Sequence, residues 1–328
     1  MTETILLLLA GLALLMVGGE LLVRGASRLA EELGLSPMLV GLVIVGLGTS
    51  TPELAASVQA ALAGSPGIAI GNIVGSNLAN TLLILGAAAL IAPITVRGSV
   101  LWRDGMVGLL GVAVLLAAGN SIGLGRGAGF GFLAILIAYL AFAYHQEKTG
   151  HSPQAASQRT AAAEHVDPGL HGHPDEDRTG ILKAVIFFLI GIGVIVAGGT
   201  ILVDAAIEIA EDLGVSDTVI GLTVVAAGTS APELATTVVA AFRKESDIAL
   251  GNVLGSNIYN IFFIGGITGL VAPGPIPDSV LTVDLWILFA AASAAIVFSW
   301  TGGRLGRREG AVLMAAYAGF LIYTVGAL

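Results

Sequence analysis

Apolar residues fall in ten stretches, each near the ~20 residues that cross a bilayer as one helix. They lie at about 3–23, 38–63, 69–92, 100–118, 124–145, 181–203, 218–242, 248–271, 281–300 and 310–327. The longest polar stretch, 146–180, divides five from five. The pattern predicts an all-α membrane protein of ten transmembrane helices, with a first half over 1–145, a polar linker over 146–180 and a second half over 181–328. The opening MTETILLLLAGLALLMVGG lacks a basic start and carries Glu3, so it reads as a retained span rather than a cleaved signal peptide.

The two halves share a forty-residue segment. Residues 41–80 read GLVIVGLGTSTPELAASVQAALAGSPGIAIGNIVGSNLAN, and residues 221–260 read GLTVVAAGTSAPELATTVVAAFRKESDIALGNVLGSNIYN. They align without a gap at an offset of 180, with 21 of 40 positions identical. An internal repeat bearing a carboxylate inside an apolar stretch is the mark of a transporter built from two related halves.

Charge sets the orientation. Thirteen of the 14 Lys and Arg residues fall on one side of the ten-span layout, and only Arg126 on the other. The positive-inside rule puts those thirteen in the cytoplasm, with the linker, and both termini outside. Five spans per half is an odd number, so the second half enters the membrane from the opposite side. The loop charges agree: Arg24 and Arg28 align with Asp204 and Glu208, and Ala63 and Gly64 with Arg243 and Lys244. The intramembrane words match while the flanking charges swap, as two inverted five-helix repeats require.

Composition narrows the function. The chain is 55% hydrophobic and 11% charged with mean hydropathy +0.92, against roughly 25% charged in soluble domains. It contains no Cys, so it holds no disulfide, thiolate metal site or cysteine nucleophile. Nothing points to nucleic acid, a bound cofactor or an obligatory protein partner; the expected surroundings are the lipid bilayer of a cell membrane, crossed many times.

Two words per repeat carry the chemistry. The first is Gly-Thr-Ser-x-Pro-Glu: Gly48, Thr49, Ser50, Pro52, Glu53, and Gly228, Thr229, Ser230, Pro232, Glu233. On a continuous helix Thr49 and Ser50 share a face with Glu53. Pro52 and Pro232 donate no backbone hydrogen bond, and so free the carbonyls of Gly48 and Gly228 or loosen their neighbours. Such breaks are tolerated in a membrane where they line a cavity or hold an ion. Carboxylate, hydroxyl and carbonyl make an all-oxygen site, suited to hard cations such as Na+ and Ca2+.

The second word is Gly-Asn-x-x-Gly-Ser-Asn-x-x-Asn, over 71–80 and 251–260. Asn72, Ser76 and Asn80 form one stripe, as do Asn252, Ser256 and Asn260. Gly71 with Gly75, and Gly251 with Gly255, have the small-xxx-small spacing of close helix packing. Glycines and hydroxyls alone would read as packing devices. A glutamate near mid-membrane costs about 2.5–3.5 kcal/mol on the translocon scale, so two in matching settings read as functional. Glu20 reads as structural, paired with Arg24 at helical spacing, and Asn77 and Asn257 as interhelical hydrogen-bonding residues. All five histidines lie in or beside the linker, whose acidic, Pro- and Gly-containing composition predicts disorder rather than a metal site.

With both words present twice, the chain resembles the sodium/calcium exchanger family of the calcium/cation antiporter superfamily, over nearly its whole length. The resemblance implies an ion site between helices two, three, seven and eight, with helices one and six sliding across it. It implies ion ligands at Thr49, Ser50, Glu53 and Ser76, and at Thr229, Ser230, Glu233 and Ser256. It adds the backbone carbonyls of Gly46 and Ala226 and the amides of Asn80 and Asn260. The transported ions would be Na+ and Ca2+. Some members, including potassium-dependent exchangers, have an aspartate where this chain has Asn260, and its absence weighs against potassium coupling. Proton-coupled relatives tend to read Gly-Asn-x-x-Glu in the first word, whereas both copies here keep Thr-Ser and Pro, which favours sodium coupling. Na+/Ca2+ antiport is the expected function. A Ca2+/H+ antiporter using the same glutamates is the alternative; an intramembrane acid protease, lacking any catalytic Asp pair, and a passive cation channel are less well supported.

Overall fold

The computed structural model describes residues 2–62, 66–121, 123–148, 177–212, 226–278 and 280–326. The linker from 149 to 176, with its expected disorder, and the start of the seventh apolar stretch, 213–225, lie outside the described residues. The chain is nearly all helical. Among the described residues, eight helices are long and apolar enough to cross a membrane: Thr4–Leu33, Pro37–Leu62, Ala69–Ile91, Gly98–Ser121, Arg126–Gln146, Gly180–Ile201, Ser246–Val271 and Val280–Gly302. The seventh stretch is described only as Ala226–Thr229 and Ala231–Phe242, and the tenth is the helix Arg307–Gly326. Large apolar side chains such as Leu62, Phe130, Ile137 and Ile322 stand exposed on the outside. In a soluble protein such a surface would aggregate; in a bilayer it meets lipid.

The first helix, Thr2–Leu33, runs alongside the helix Asp177–Asp212. Glycines let the backbones touch: a Cβ on Gly25 would lie 2.5 Å from Phe188 N, and one on Gly191 2.5 Å from Leu22 N. This pair leans on the helix Ala231–Phe242, where Glu20 binds both Arg24 and Arg243. The expected Glu20–Arg24 pair is thus present and extends to the other half of the chain. Behind Arg243, burial pushes the Glu245 carboxyl above the usual carboxylate range, against the pull of the Arg243 guanidinium.

The arginine-rich connections come together at one end. A two-residue antiparallel ladder pairs β1 (Ile94–Thr95) with β2 (Arg304–Leu305), in register Ile94 to Leu305. Arg97 reaches Asp247 at 3.6 Å. At the opposite end a single bridge joins Leu124 to Gly274. Trp102 and Trp300 project outward near the arginine-rich end, a placement typical of membrane interfaces.

Arg103 falls in the apolar stretch 100–118 and also counts among the thirteen charges of the cytoplasmic side, as if it lay between the third and fourth spans; the structure buries it. It lies inside the span Gly98–Ser121 and is buried with Asp104. Its Nε and Nη2 donate to the two Asp104 oxygens at 2.5 and 2.9 Å, and Tyr139 Oη donates to Asp104 at 2.7 Å. Neighbouring charges of opposite sign cancel within the helix, so a long-chain cation that looks like a flank is carried inward. Removing one partner of such a buried pair costs about 3–5 kcal/mol. Asp104→Asn is therefore expected to lower the thermal midpoint in detergent well beyond Tyr139→Phe; equal midpoints would show that the pair contributes nothing.

Candidate functional site

Both carboxylate helices are broken where proline requires it. Ser50 separates Gly46–Thr49 from Thr51–Leu62, at φ −81°, ψ 5°. Ser230 separates Ala226–Thr229 from Ala231–Phe242, at φ −86°, ψ 6°. Neither Pro52 nor Pro232 can donate to the carbonyl four residues earlier, so the turn opens there. Glu53 and Glu233 then sit in the first turn of the following half-helix, where the helix dipole favours negative charge.

The second words carry a matching irregularity. The helices Pro66–Leu78 and Ser246–Ile258 pass into wide π turns, Ala79–Ile84 and Tyr259–Ile264. Isolated π segments recur at functional sites. Here each presents its final asparagine, Asn80 or Asn260, fully buried. The Glu53 helix packs on Tyr259–Ile264, and the Glu233 helix on Ala79–Ile84. Each glutamate therefore faces the other half's asparagine segment. Of the small-residue spacings, Gly251 brings the helix backbone against Met38–Leu42, where a Cβ would meet Met38 O at 2.7 Å. The corresponding partner of Gly71 and Gly75 would be 218–222, outside the described residues.

The side chains exchange across the two halves. Ser50 Oγ donates to Glu233 Oε1 at 3.2 Å, and Ser230 Oγ donates to Glu53 Oε1 at 3.2 Å. Thr49 Oγ1 donates to Asn252 Oδ1 at 3.1 Å, and Thr229 Oγ1 to Asn72 Oδ1 at 3.3 Å. Ser256 Oγ adds a 3.3 Å bond to Glu233 Oε1 and lies 3.4 Å from Thr49 Oγ1. This corrects the expectation that Ser50 serves Glu53 along one helix face. The break at Ser50 ends the 3.6-residue register, so its hydroxyl turns to the opposite carboxylate.

Thr49, Ser50, Glu53, Ser76, Asn80, Ser230, Glu233, Ser256 and Asn260 are all buried, and Thr229 is half-buried. Gly46 O accepts the Ser50 N–H at 3.1 Å and lies 3.4 Å from the Thr49 hydroxyl; Ala226 opens the matching turn. Several polar atoms among these have no hydrogen-bond partner: Glu53 Oε2, Glu233 Oε2, Ser76 Oγ, and both amide atoms of Asn80 and Asn260. Buried acceptors are normally satisfied, and a buried carboxylate left bare is costly. The unsatisfied oxygens come from both halves and from all four motif segments. No group of three or more His, Cys, Asp or Glu occurs among the described residues, so any cation here would rely on two carboxylates and neutral oxygens.

Asn72 and Asn252 were read only as members of a stripe. The structure places them in contact with the carboxylate helices. Of the other asparagines, Asn257 bonds between helices, to Thr81 at 2.9 Å, as expected; Asn77 instead bonds within its own helix, to Ile73 O at 2.7 Å.

A bundle of membrane-crossing helices, broken at its centre around two buried glutamates and a shell of hydroxyls and amides, defines a polytopic ion-transport protein. Residues 3–145 and 183–326 match the family described as sodium/calcium exchanger protein. The chain belongs to that family. It is 36% identical to the sodium/calcium exchanger MaX1 of Methanosarcina acetivorans, with 98% of each chain covered. It is 36% identical to the putative antiporter CaxA of Alkalimonas amylolytica, with 95% of each covered. A solved structure of the sodium-calcium exchanger NCX_Mj, soaked with 10 mM Na+ and zero Ca2+, superposes with TM-score 0.81 at 29% identity, covering 99% of this chain and 98% of that one. These relatives are exchangers and antiporters, not enzymes.

Proposed function

We propose that this chain is a secondary active antiporter that exchanges Na+ for Ca2+ by alternating access. Its ten transmembrane helices form two inverted five-helix repeats, 1–145 and 181–328, joined by a cytoplasmic linker over 146–180. Both termini lie outside the cytoplasm. The ions bind to Glu53, Thr49, Ser50, Ser76, Asn80 and the Gly46 carbonyl, and to Glu233, Thr229, Ser230, Ser256, Asn260 and the Ala226 carbonyl.

One observation carries the reading: the buried, unsatisfied oxygens of Glu53, Glu233, Ser76, Asn80 and Asn260 fall among the residues that motif resemblance assigns to ions. One Ca2+ neutralises two carboxylates, and so do two Na+. Either load permits the occluded, low-dielectric state; the bare pair of charges opposes crossing. That enforces exchange over leak. Further Na+ would occupy neutral hydroxyl, amide and carbonyl oxygens and make the cycle electrogenic. The names of two relatives, MaX1 and NCX_Mj, include sodium and calcium, which supports the choice of ions.

The test is 45Ca2+ uptake into sodium-loaded proteoliposomes. Uptake driven by an outward Na+ gradient, and suppressed by external Na+, is expected. Uptake that ignores Na+ but follows a pH gradient would replace this reading with Ca2+/H+ exchange.

A further inference from the structure

Asn72 and Asn252 each join three parts of the site. Asn72 Nδ2 donates to the Glu53 carbonyl at 3.3 Å and to Ser57 Oγ at 3.0 Å, while its Oδ1 accepts the Thr229 hydroxyl at 3.3 Å. Asn252 repeats this across the molecule: Nδ2 to the Glu233 carbonyl at 3.3 Å and Thr237 Oγ1 at 2.9 Å, with Oδ1 accepting from Thr49 at 3.1 Å. Ser57 and Thr237 occupy equivalent positions at the 180-residue offset. The residue type has changed between them; the hydroxyl that accepts the amide has not.

We infer that Asn72 and Asn252 are positioning residues for cation selectivity: each amide clasps the carboxylate helix of its own repeat to the threonine of the other. Only a carboxamide suits the place. It offers two N–H donors for the carbonyl and hydroxyl of one helix and an acceptor for the hydroxyl of another. An aspartate would lack the donors, and an apolar residue both functions. Each Oδ1 lies within hydrogen-bond reach of the opposite threonine hydroxyl, and Thr49 Oγ1 also lies 3.1 Å from Val45 O in its own helix. Because the clasp spans both repeats, it also fixes the distance from threonine oxygen to carboxylate.

The consequence differs between the two ions. A divalent ion is held chiefly by the two charges. Monovalent ions beyond the first two lean on neutral oxygens, whose placement the clasp controls. The inference thus rests on the Na+/Ca2+ reading and assigns sodium preference to residues that touch neither ion. Asn252 and Thr49 are fully buried, whereas Asn72 and Thr229 are only half-buried, so the Asn72 clasp is the one to cut.

The experiment compares wild type, Asn72→Leu, Thr229→Val and the double variant in proteoliposomes. Two quantities are read: half-saturating Na+ for Na+-driven Ca2+ flux, and half-saturating Ca2+ for Ca2+/Ca2+ exchange without Na+. Of the three bonds that Asn72→Leu removes, the one to the Thr229 hydroxyl bears on Na+, and its loss should raise half-saturating Na+ about fivefold. Half-saturating Ca2+ should move less than about twofold. The double variant should be no worse than the larger single change, because the two residues act as one unit. Asn72→Ser, which keeps a smaller donor and acceptor, should fall between wild type and Asn72→Leu, and it serves if the leucine variant fails to fold. Parallel shifts in both ions, or multiplying effects in the double variant, would overturn the clasp. Absence of Na+-driven flux in wild type would overturn the antiport reading instead.

Discussion

Glu53→Gln and Glu233→Gln are each expected to reduce Na+-driven Ca2+ flux by at least about a hundredfold. Both side chains are buried, each with one oxygen unsatisfied and the other bonded by a serine of the opposite repeat. With one carboxylate made neutral, a bound Ca2+ keeps a net positive charge among buried side chains, where screening is weak. Leaving a buried charge unpaired costs about 3–5 kcal/mol, and each 1.4 kcal/mol is tenfold in affinity. The fold should survive, since glutamine has nearly the same shape and removes an unpaired buried charge from the ion-free protein. Thermal unfolding in detergent separates the two effects. Ca2+ should raise the midpoint of wild type, because a ligand that binds only the folded state stabilises it. It should barely move the midpoint of either variant. Flux near wild type from a well-folded Glu53→Gln protein would remove the proposed site.

Much of this arrangement was legible in the sequence, for physical reasons that can be named. A carboxylate in an apolar stretch is costly, so Glu53 and Glu233 stood out. Proline cannot complete a helix turn, so the breaks at Ser50 and Ser230 were foreseeable to within a residue or two. The gapless repeat marked the second words as equivalent. What stayed hidden was which half serves which. Helical spacing put Ser50 beside Glu53, yet the break hands Ser50 to Glu233 and Ser230 to Glu53. The periodic reading also assumed an unbroken register from Ser76 to Asn80, and the π turn beginning at Ala79 intervenes. Neither change has a composition signal of its own; both follow from packing two repeats against each other. The burial of Arg103 stayed hidden for a related reason. Its partner Asp104 and the Tyr139 hydroxyl, on a different helix, make burial tolerable, and window hydropathy counts charges without pairing them. Asn72 and Asn252 were visible in the motif, but their role depends on contacts 15 to 203 residues away in sequence.

Acidification is expected to weaken Ca2+ transport through competition for the same carboxylates. Protons, like Na+ or Ca2+, can neutralise Glu53 and Glu233, so a protonated site is closed to Ca2+ until the protons leave. The sign follows from mass action: falling pH raises the Ca2+ concentration needed for half-maximal flux and leaves the maximal rate recoverable at high Ca2+. Where binding displaces one proton, the half-saturating concentration should rise about tenfold per pH unit, and where it displaces two, about a hundredfold. The Asn80 and Asn260 amides do not titrate, so the slope counts carboxylates alone. Glu233→Gln removes one of the two groups and should shrink the slope wherever residual Ca2+ binding can be read. The measurement is initial 45Ca2+ flux against Ca2+ at a series of pH values, with the same pH on both sides of the vesicle. Equal pH excludes a proton gradient as driving force and isolates competition. A pH effect confined to maximal rate, with half-saturating Ca2+ unchanged, would contradict competition at the glutamates. It would point to a group titrating elsewhere, and the histidines at the linker would be the first to replace, since their ordinary range spans the same pH.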